Sequence, residues 1–110
     1  MKIYTLKKNN EFAFLYRKGK NIVSPSIVTY YFKNRKGGSR YGITAGKKVG
    51  NAVKRNRCRR IIYHAFMQAY GAPAGGYDIV FVARVKTVDA KSTDIAPVIK
   101  KHLRQAGVIS

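Results

Sequence analysis

Between Gly46 and Phe66 the chain reads GKKVGNAVKRNRCRRIIYHAF, turning from a basic, glycine-flanked connection into an amphipathic helix. Its later residues constrain the fold. Cys58, Ile61, Ile62, Ala65, Phe66 and Ala69 recur at steps of three and four, the spacing of a helical face packed on a sheet. At about 100° per residue, Arg60, Tyr63 and Met67 fall opposite that stripe, while Lys54 and Arg55 fall in line with it one turn too early. Those two charges must reach a cleft rather than a core. The helix is expected to end near Tyr70 and Gly71.

The same segment carries Lys47, Lys48, Lys54, Arg55, Arg57, Arg59 and Arg60 with no acidic residue among them. Nothing elsewhere can neutralise it: 23 Lys+Arg stand against Glu11, Asp78, Asp89 and Asp94, a net charge of +19. Such a charge destabilises the compact state by self-repulsion and speeds encounter with polyanions, over a range of about 8 Å at physiological salt. Anions that bind the native basic sites should therefore stabilise the fold by mass action. At 110 residues the chain fits one domain, residues 1–110. Apolar runs such as Ile79 to Ala83 are far short of the roughly 20 residues of a spanning helix, and MKIYTLKKNNEF has no apolar signal core. A cytoplasmic, membrane-free protein is the expectation.

Around the basic helix, the other elements can be placed in order. Asn9 or Asn10 can cap a first helix with Glu11 in its opening turn, Phe12, Leu15 and Tyr16 on its apolar face, and Arg17, Lys18 and Gly19 at its end. Pro25 limits the next strand to Ser26 through Lys33, with Val28, Tyr30 and Phe32 on one face and Ile27, Thr29 and Tyr31 on the other. Asn34 to Ser39, with Gly37 and Gly38, reads as a hairpin turn into a returning strand, Arg40 to Ala45. GAPAGG, residues 71–76, is a loop before an interior strand at Ile79 to Ala83. A closing helix runs from Ser92 to Ala106, with Ile95, Val98, Ile99, His102 and Leu103 inward and Gly107 as its stop. The order α-β-β-α-β-α predicts an α+β protein, a compact two-layer α/β sandwich.

Chemistry of the chain's own finds little support. Hydrolysis needs paired carboxylates, an activated nucleophile or metal ligands within reach of one another. The four acids are scattered, and Asp89 and Asp94 flank a helix start where capping accounts for them. His64 is placed on the outer side of its helix and His102 on the inner side of the last. Cys58, the single cysteine, opens the apolar stripe and is expected to be buried and inert, although flanking arginines would activate an exposed thiol. No catalytic residue and no metal ligand is assigned.

Eight tyrosines and five phenylalanines accompany the charge. Basic grooves edged with aromatics suit single-stranded nucleic acid, where stacking adds about 1–3 kcal/mol per base. Phe12, Tyr16 and Tyr30 are candidates for such a floor; core packing explains each equally well, since Phe12 and Tyr16 share the only apolar face of their helix. Arginine can pair bidentately with phosphate and also stack on bases, which fits a folded RNA. No helix-turn-helix, zinc-finger or heptad pattern points to DNA.

At Lys47-Lys48-Val49-Gly50-Asn51-Ala52-Val53, then Arg55-Asn56-Arg57, Arg59-Arg60 and Ala65-Phe66, the chain resembles the protein subunit of bacterial ribonuclease P. Supporting matches are Leu6-Lys7-Lys8 ahead of Phe12, Gly19, Tyr41-Gly42, and Asp78 with Ala83-Arg84. The resemblance implies a left-handed βαβ crossover around the central helix, where sequence alone favours the right-handed form. It implies that an RNA subunit holds Mg2+ and removes the 5′ leader from precursor tRNA, while the protein binds no cofactor, grips the leader and supports the active RNA fold. By the same resemblance Phe12, Tyr16 and Tyr30 bind leader, with Lys47 and Lys48 near the rim of that cleft. Lys47, Lys48, Asn51, Lys54, Arg55, Asn56, Arg57, Arg59 and Arg60 bind the RNA subunit, in a ribonucleoprotein of one protein monomer per RNA. Two positions depart from the pattern: Gly46 replaces a common serine, and Tyr63 stands where an arginine is frequent. A ribosomal or chaperone-like RNA-binding protein is the main alternative, and a self-sufficient small ribonuclease a second.

Overall fold

A computed structural model describes residues 3–34, 38–70 and 76–109. In chain order the elements are β1 (Ile3–Thr5), α1 (Asn9–Lys18), β2 (Lys20–Val23), β3 (Ile27–Lys33) and β4 (Ser39–Thr44). A 3₁₀ turn (Lys47–Val49), α2 (Ala52–Ala69), β5 (Tyr77–Ala83), a second 3₁₀ turn (Val85–Asp89) and α3 (Ser92–Ala106) follow. The α+β architecture is the one expected, with two additions. Strands β1 and β2 extend the sheet at its edges, and at three and four residues both are too short to announce themselves by alternation. Ser24 closes the β2–β3 turn: its hydroxyl donates to the carbonyl of Ile27 at 2.9 Å and accepts from the same residue's N–H at 3.1 Å.

The sheet order is β1-β4-β5-β3-β2, which corrects one expectation. Strands β3 and β4 do not form a hairpin. Strand β5 lies between them, antiparallel to β3 and parallel to β4. The physical reason is in β5 itself: Ile79, Val80 and Phe81 are all fully buried, so this apolar run needs cover on both faces and a partner on both edges. Within the connecting segment, residues 35–37 lie outside the described residues, as do residues 71–75 of the second glycine-rich loop. The parallel pair β4 and β5, bridged by α2, is the βαβ unit of the fold.

One face of the sheet is closed by α2 and α3. Cys58, Ile62, Ala65 and Phe66 of α2 and Ile95, Ile99 and Leu103 of α3 pack with Ile27, Ile79 and Phe81. Phe66 sits at the centre, its ring 5.1 Å from that of Tyr41 and 5.0 Å from that of Phe81. Gly107 ends α3 at φ 83°, a left-handed conformation that costs glycine least. The other face is covered only where α1 lies, through Leu15 against Leu6 and Val80, with Phe12, Tyr30 and Val82 packed around them.

Candidate nucleic-acid interface

Helix α1 is latched to the sheet by the chain's scarcest resource, its carboxylates. Neither Asn9 nor Asn10 caps it, contrary to expectation; Lys8 occupies the cap position and Glu11 reaches back instead. Oε1 of Glu11 accepts from the backbone N–H groups of Lys7 at 3.1 Å and Lys8 at 2.9 Å, and Oε2 accepts from Arg40. The Arg40 fork continues to Asp78 of β5, Nε to Oδ1 at 2.9 Å and Nη2 to Oδ2 at 2.6 Å. Asn34 donates to the same Oδ1 at 2.7 Å. Backbone donation from Lys8 and Lys7, joined by the nearby Arg40 charge, lowers the Glu11 carboxyl to about 2, and Asp78 raises the Arg40 guanidinium above its ordinary value. Two of the four acids therefore hold α1 in place. A third, Asp94, accepts from the N–H of Lys91 at 3.1 Å at the start of α3.

The latch fixes an aromatic row across the open face. Tyr30, Val80 and Gly42 lie side by side on β3, β5 and β4. The Phe12 ring fills the space above Gly42; a Cβ there would come within 2.5 Å of it. Tyr16, 43% exposed, sets its ring edge-on to Tyr30 at 4.9 Å, with its hydroxyl 3.3 Å from Oγ1 of Thr44. Beyond this row, half-buried Val28, Val82 and Thr44 continue the same sheet face. The three aromatic candidates thus share one surface, with Phe12 nearest to core and Tyr16 most open. A second exposed pair escaped the sequence reading: Phe14 and Phe32 meet edge-on at 5.1 Å. The outward position of Phe32 in the β3 alternation was the available signal.

At the end of β4 the chain turns directly into the basic segment. Lys47 and Lys48 are exposed in the first 3₁₀ turn while Val49 anchors it in the core. Asn51 caps α2, its Oδ1 accepting from the N–H of Lys54 at 3.0 Å. The helix begins at Ala52, so Lys54 and Arg55 belong to its opening turns, ahead of the first buried residue, Cys58. Lys54, Asn56, Arg57 and Arg60 are exposed, Arg55 and Arg59 half-buried. Arg59 donates to Oδ1 of Asn56 at 2.8 Å, and Nε of Arg55 is buried without a hydrogen-bond partner among the described residues. Among the described residues, the only ion pairs are those of Arg40, so none of these seven cations is neutralised. Arg57, Arg60 and His64 line a concavity of about 390 Å³ with Lys91 and Ser92 at the start of α3.

The remaining nucleophile and one of the two histidines are taken up by the core. Cys58 is fully buried, and desolvation pushes its thiol up despite Arg57 and Arg59. His102 is buried with Nδ1 2.8 Å from Oγ1 of Thr29, and burial, aided by Lys101, lowers its pKa. His64 is exposed, its ring edge-on to Tyr63. Among the described residues no three His, Cys, Asp or Glu side chains gather as a metal site, and no helix is long and apolar enough to cross a membrane.

Comparison with known proteins agrees over nearly the whole chain. The family model described as Ribonuclease P matches residues 1–107. The ribonuclease P protein component of Clostridioides difficile is 40% identical over 104 residues, covering 94% of this chain and 91% of that protein. That of Clostridium botulinum strain Eklund 17B is 37% identical over 113 residues, covering 96% and 90%. In structure, the Staphylococcus aureus RNase P protein superposes with a TM-score of 0.83 at 32% identity, covering 99% of this chain and all of that one. The Thermotoga maritima RNase P protein shares the fold, with a TM-score of 0.72 at 24% identity over 94% of each chain. A neutralisation-free arginine row, an aromatic sheet face and this breadth of likeness lead to one statement: the chain belongs to the ribonuclease P protein component family.

Proposed function

We propose that this protein is the accessory subunit of a ribonucleoprotein that removes the 5′ leader of precursor tRNA, with hydrolysis carried out by the RNA subunit and its Mg2+ ions. One observation carries the reading: seven cations on the 3₁₀ turn and the first half of α2, uncompensated among the described residues, adjoin an aromatic sheet face, while His102, Glu11, Asp78 and Asp94 serve the fold. In this reading Arg55, Asn56, Arg57, Arg59 and Arg60, with Asn51 and Lys54, meet the RNA subunit through phosphate pairing. Phe12, Tyr16 and Tyr30 receive the leader, whose bases gain stacking without sequence readout, and Lys47 and Lys48 meet its phosphates or those of the RNA subunit. Substrate is then held more tightly than product, because mature tRNA has no leader. One protein monomer serves one RNA, in the cytoplasm.

The test is cleavage of a 5′-leader precursor tRNA by a bacterial ribonuclease P RNA at low magnesium, with and without the protein. Strong stimulation, the cut at the mature 5′ end and no cleavage by protein alone are expected. Tight binding to that RNA without stimulation would favour a ribosomal or chaperone role. Cleavage by RNA-free protein, abolished in His64→Ala or His102→Ala, would restore the self-sufficient nuclease. Arg57→Ala should weaken binding to the RNA subunit, whereas Phe12→Ala should weaken leader-bearing precursor and spare mature tRNA.

A further inference from the structure

The alternation of β4 sends Gly42 and Thr44 to the aromatic face and Tyr41 and Ile43 to the opposite one, under α2. There, at the edge where β1 pairs with β4, a shallow cavity of about 340 Å³ is lined by Thr5, Tyr41, Ile43, Arg59, Arg60 and Tyr63. Its chemistry differs from that of the arginine row it adjoins. The floor is apolar and rigid: Tyr41 is half-buried, its ring wedged between Phe66 at 5.1 Å and Tyr63 at 6.4 Å. Tyr63 is 40% exposed, on the solvent side of a helix whose inward face is already satisfied. Two arginines line it, and among the described residues no carboxylate does. Among the described residues no lysine lines it either, so its cationic groups there are planar guanidinium forks.

We propose that this cavity takes one unpaired nucleobase of the RNA partner, stacked on Tyr63 over the Tyr41–Ile43 floor, with its flanking phosphates paired by Arg59 and Arg60. The inference rests on the RNA-partner reading above and adds a second aromatic contact, on the face of the sheet away from Phe12, Tyr16 and Tyr30. A ring with an exposed π-face beside guanidinium groups suits a base and its phosphate together, since arginine both stacks and pairs bidentately. The +19 charge and the carboxylate-free lining select a polyanion over an apolar peptide.

The experiment compares binding of the wild-type protein, Tyr63→Ala, Tyr63→Phe and Arg57→Ala to a bacterial ribonuclease P RNA across a salt series. Tyr63→Ala is expected to bind about tenfold more weakly with an unchanged salt slope, because stacking releases no counterions, and Tyr63→Phe to bind like wild type. Arg57→Ala should instead reduce the slope by about one. The chain has no tryptophan, so Tyr63→Trp places a single reporter at the site. Its emission should be quenched when the RNA binds, a readout that does not depend on how Tyr63→Ala folds. Wild-type affinity in Tyr63→Ala, a reduced salt slope in that variant, or unquenched emission in bound Tyr63→Trp overturns the nucleobase site. If Arg57→Ala is still weakened in those cases, the RNA-partner reading stands. Failure of the wild-type protein to bind the RNA overturns both.

Discussion

Strand β3 shows two faces of one sheet put to opposite uses. Ile27 and Thr29 point into a face sealed by α2 and α3 and are fully buried; Val28, Tyr30 and Phe32 point to a face that α1 covers only in part. Both faces alternate with the same period and carry residues of similar apolarity. The difference is in what arrives from outside the sheet. Two long helices bring Ile62, Phe66, Ile99 and Leu103 to one side, all fully buried. To the other comes a ten-residue helix whose fully packed contribution is Leu15, held by an ion-pair latch instead of a wide apolar contact. Apolar burial marks the stabilising face, and aromatic residues left half-covered mark the face proposed to receive the leader.

The sharpest way to break this contrast is truncation on each side. Phe66→Ala removes a ring with no exposed surface from the closed face and should cost about 3–5 kcal/mol, read from urea unfolding in the presence of sulfate. Tyr30→Ala should cost clearly less in the same assay and instead weaken leader-bearing precursor about tenfold, leaving mature tRNA unchanged. Equal stability losses in the two variants would mean that the aromatic face is core. Gly42→Ala probes the geometry between them. Its Cβ would come within 2.5 Å of the Phe12 ring, so that ring must move from its place in the aromatic row. Weaker precursor binding than wild type, with unfolding changed less than in Phe66→Ala, is expected.

The latch offers a test of intermediate size. The Glu11 carboxyl is held at about 2 against an ordinary 4.5, so its contribution is fully present above pH 4.5 and is lost as pH falls toward 2. In Glu11→Gln, acid unfolding monitored by circular dichroism should lose part of its steepness in that window. Wild-type acid behaviour in the variant would separate α1 from the Arg40–Asp78 pair.

How much of this could be read in advance depends on what each residue's signal was. The stripe from Cys58 to Ala69 and the tail from Ser92 to Gly107 were legible because helical periodicity and terminal residues agree there, and the fully buried set follows the predicted inner faces. The basic and aromatic surfaces were legible in composition and motif. Strand order was not, because Asn34 to Ser39 has the chemistry of a hairpin turn, while the β5 run that displaces it lies some forty residues later. Nor was the Arg40–Glu11–Asp78 triad, since no local pattern joins three residues from α1, β4 and β5. Long-range pairing leaves no trace in a single sequence, and this latch decides how far the aromatic face stays open.

The smallest expected effect lies in the closed face, at the contact between His102 of α3 and Thr29 of β3. Neutral His102 shares one hydrogen bond with Thr29 deep under α3; protonation makes both ring nitrogens donors and places a cation where burial penalises charge. Burial is the larger cause of its lowered pKa, and the neighbouring Lys101 charge adds to it. For a base whose folded pKa is depressed, the unfolded chain binds the extra proton first. Stability is therefore full above about pH 6.5, the ordinary histidine value, and declines as pH falls below it toward the lowered folded value. Unfolding free energies at pH 7.5 and pH 5.5 should differ modestly in wild type and converge in His102→Gln, which keeps a polar partner for Thr29 without titrating. An undiminished difference in that variant would show that the His102–Thr29 contact does not set the pH dependence.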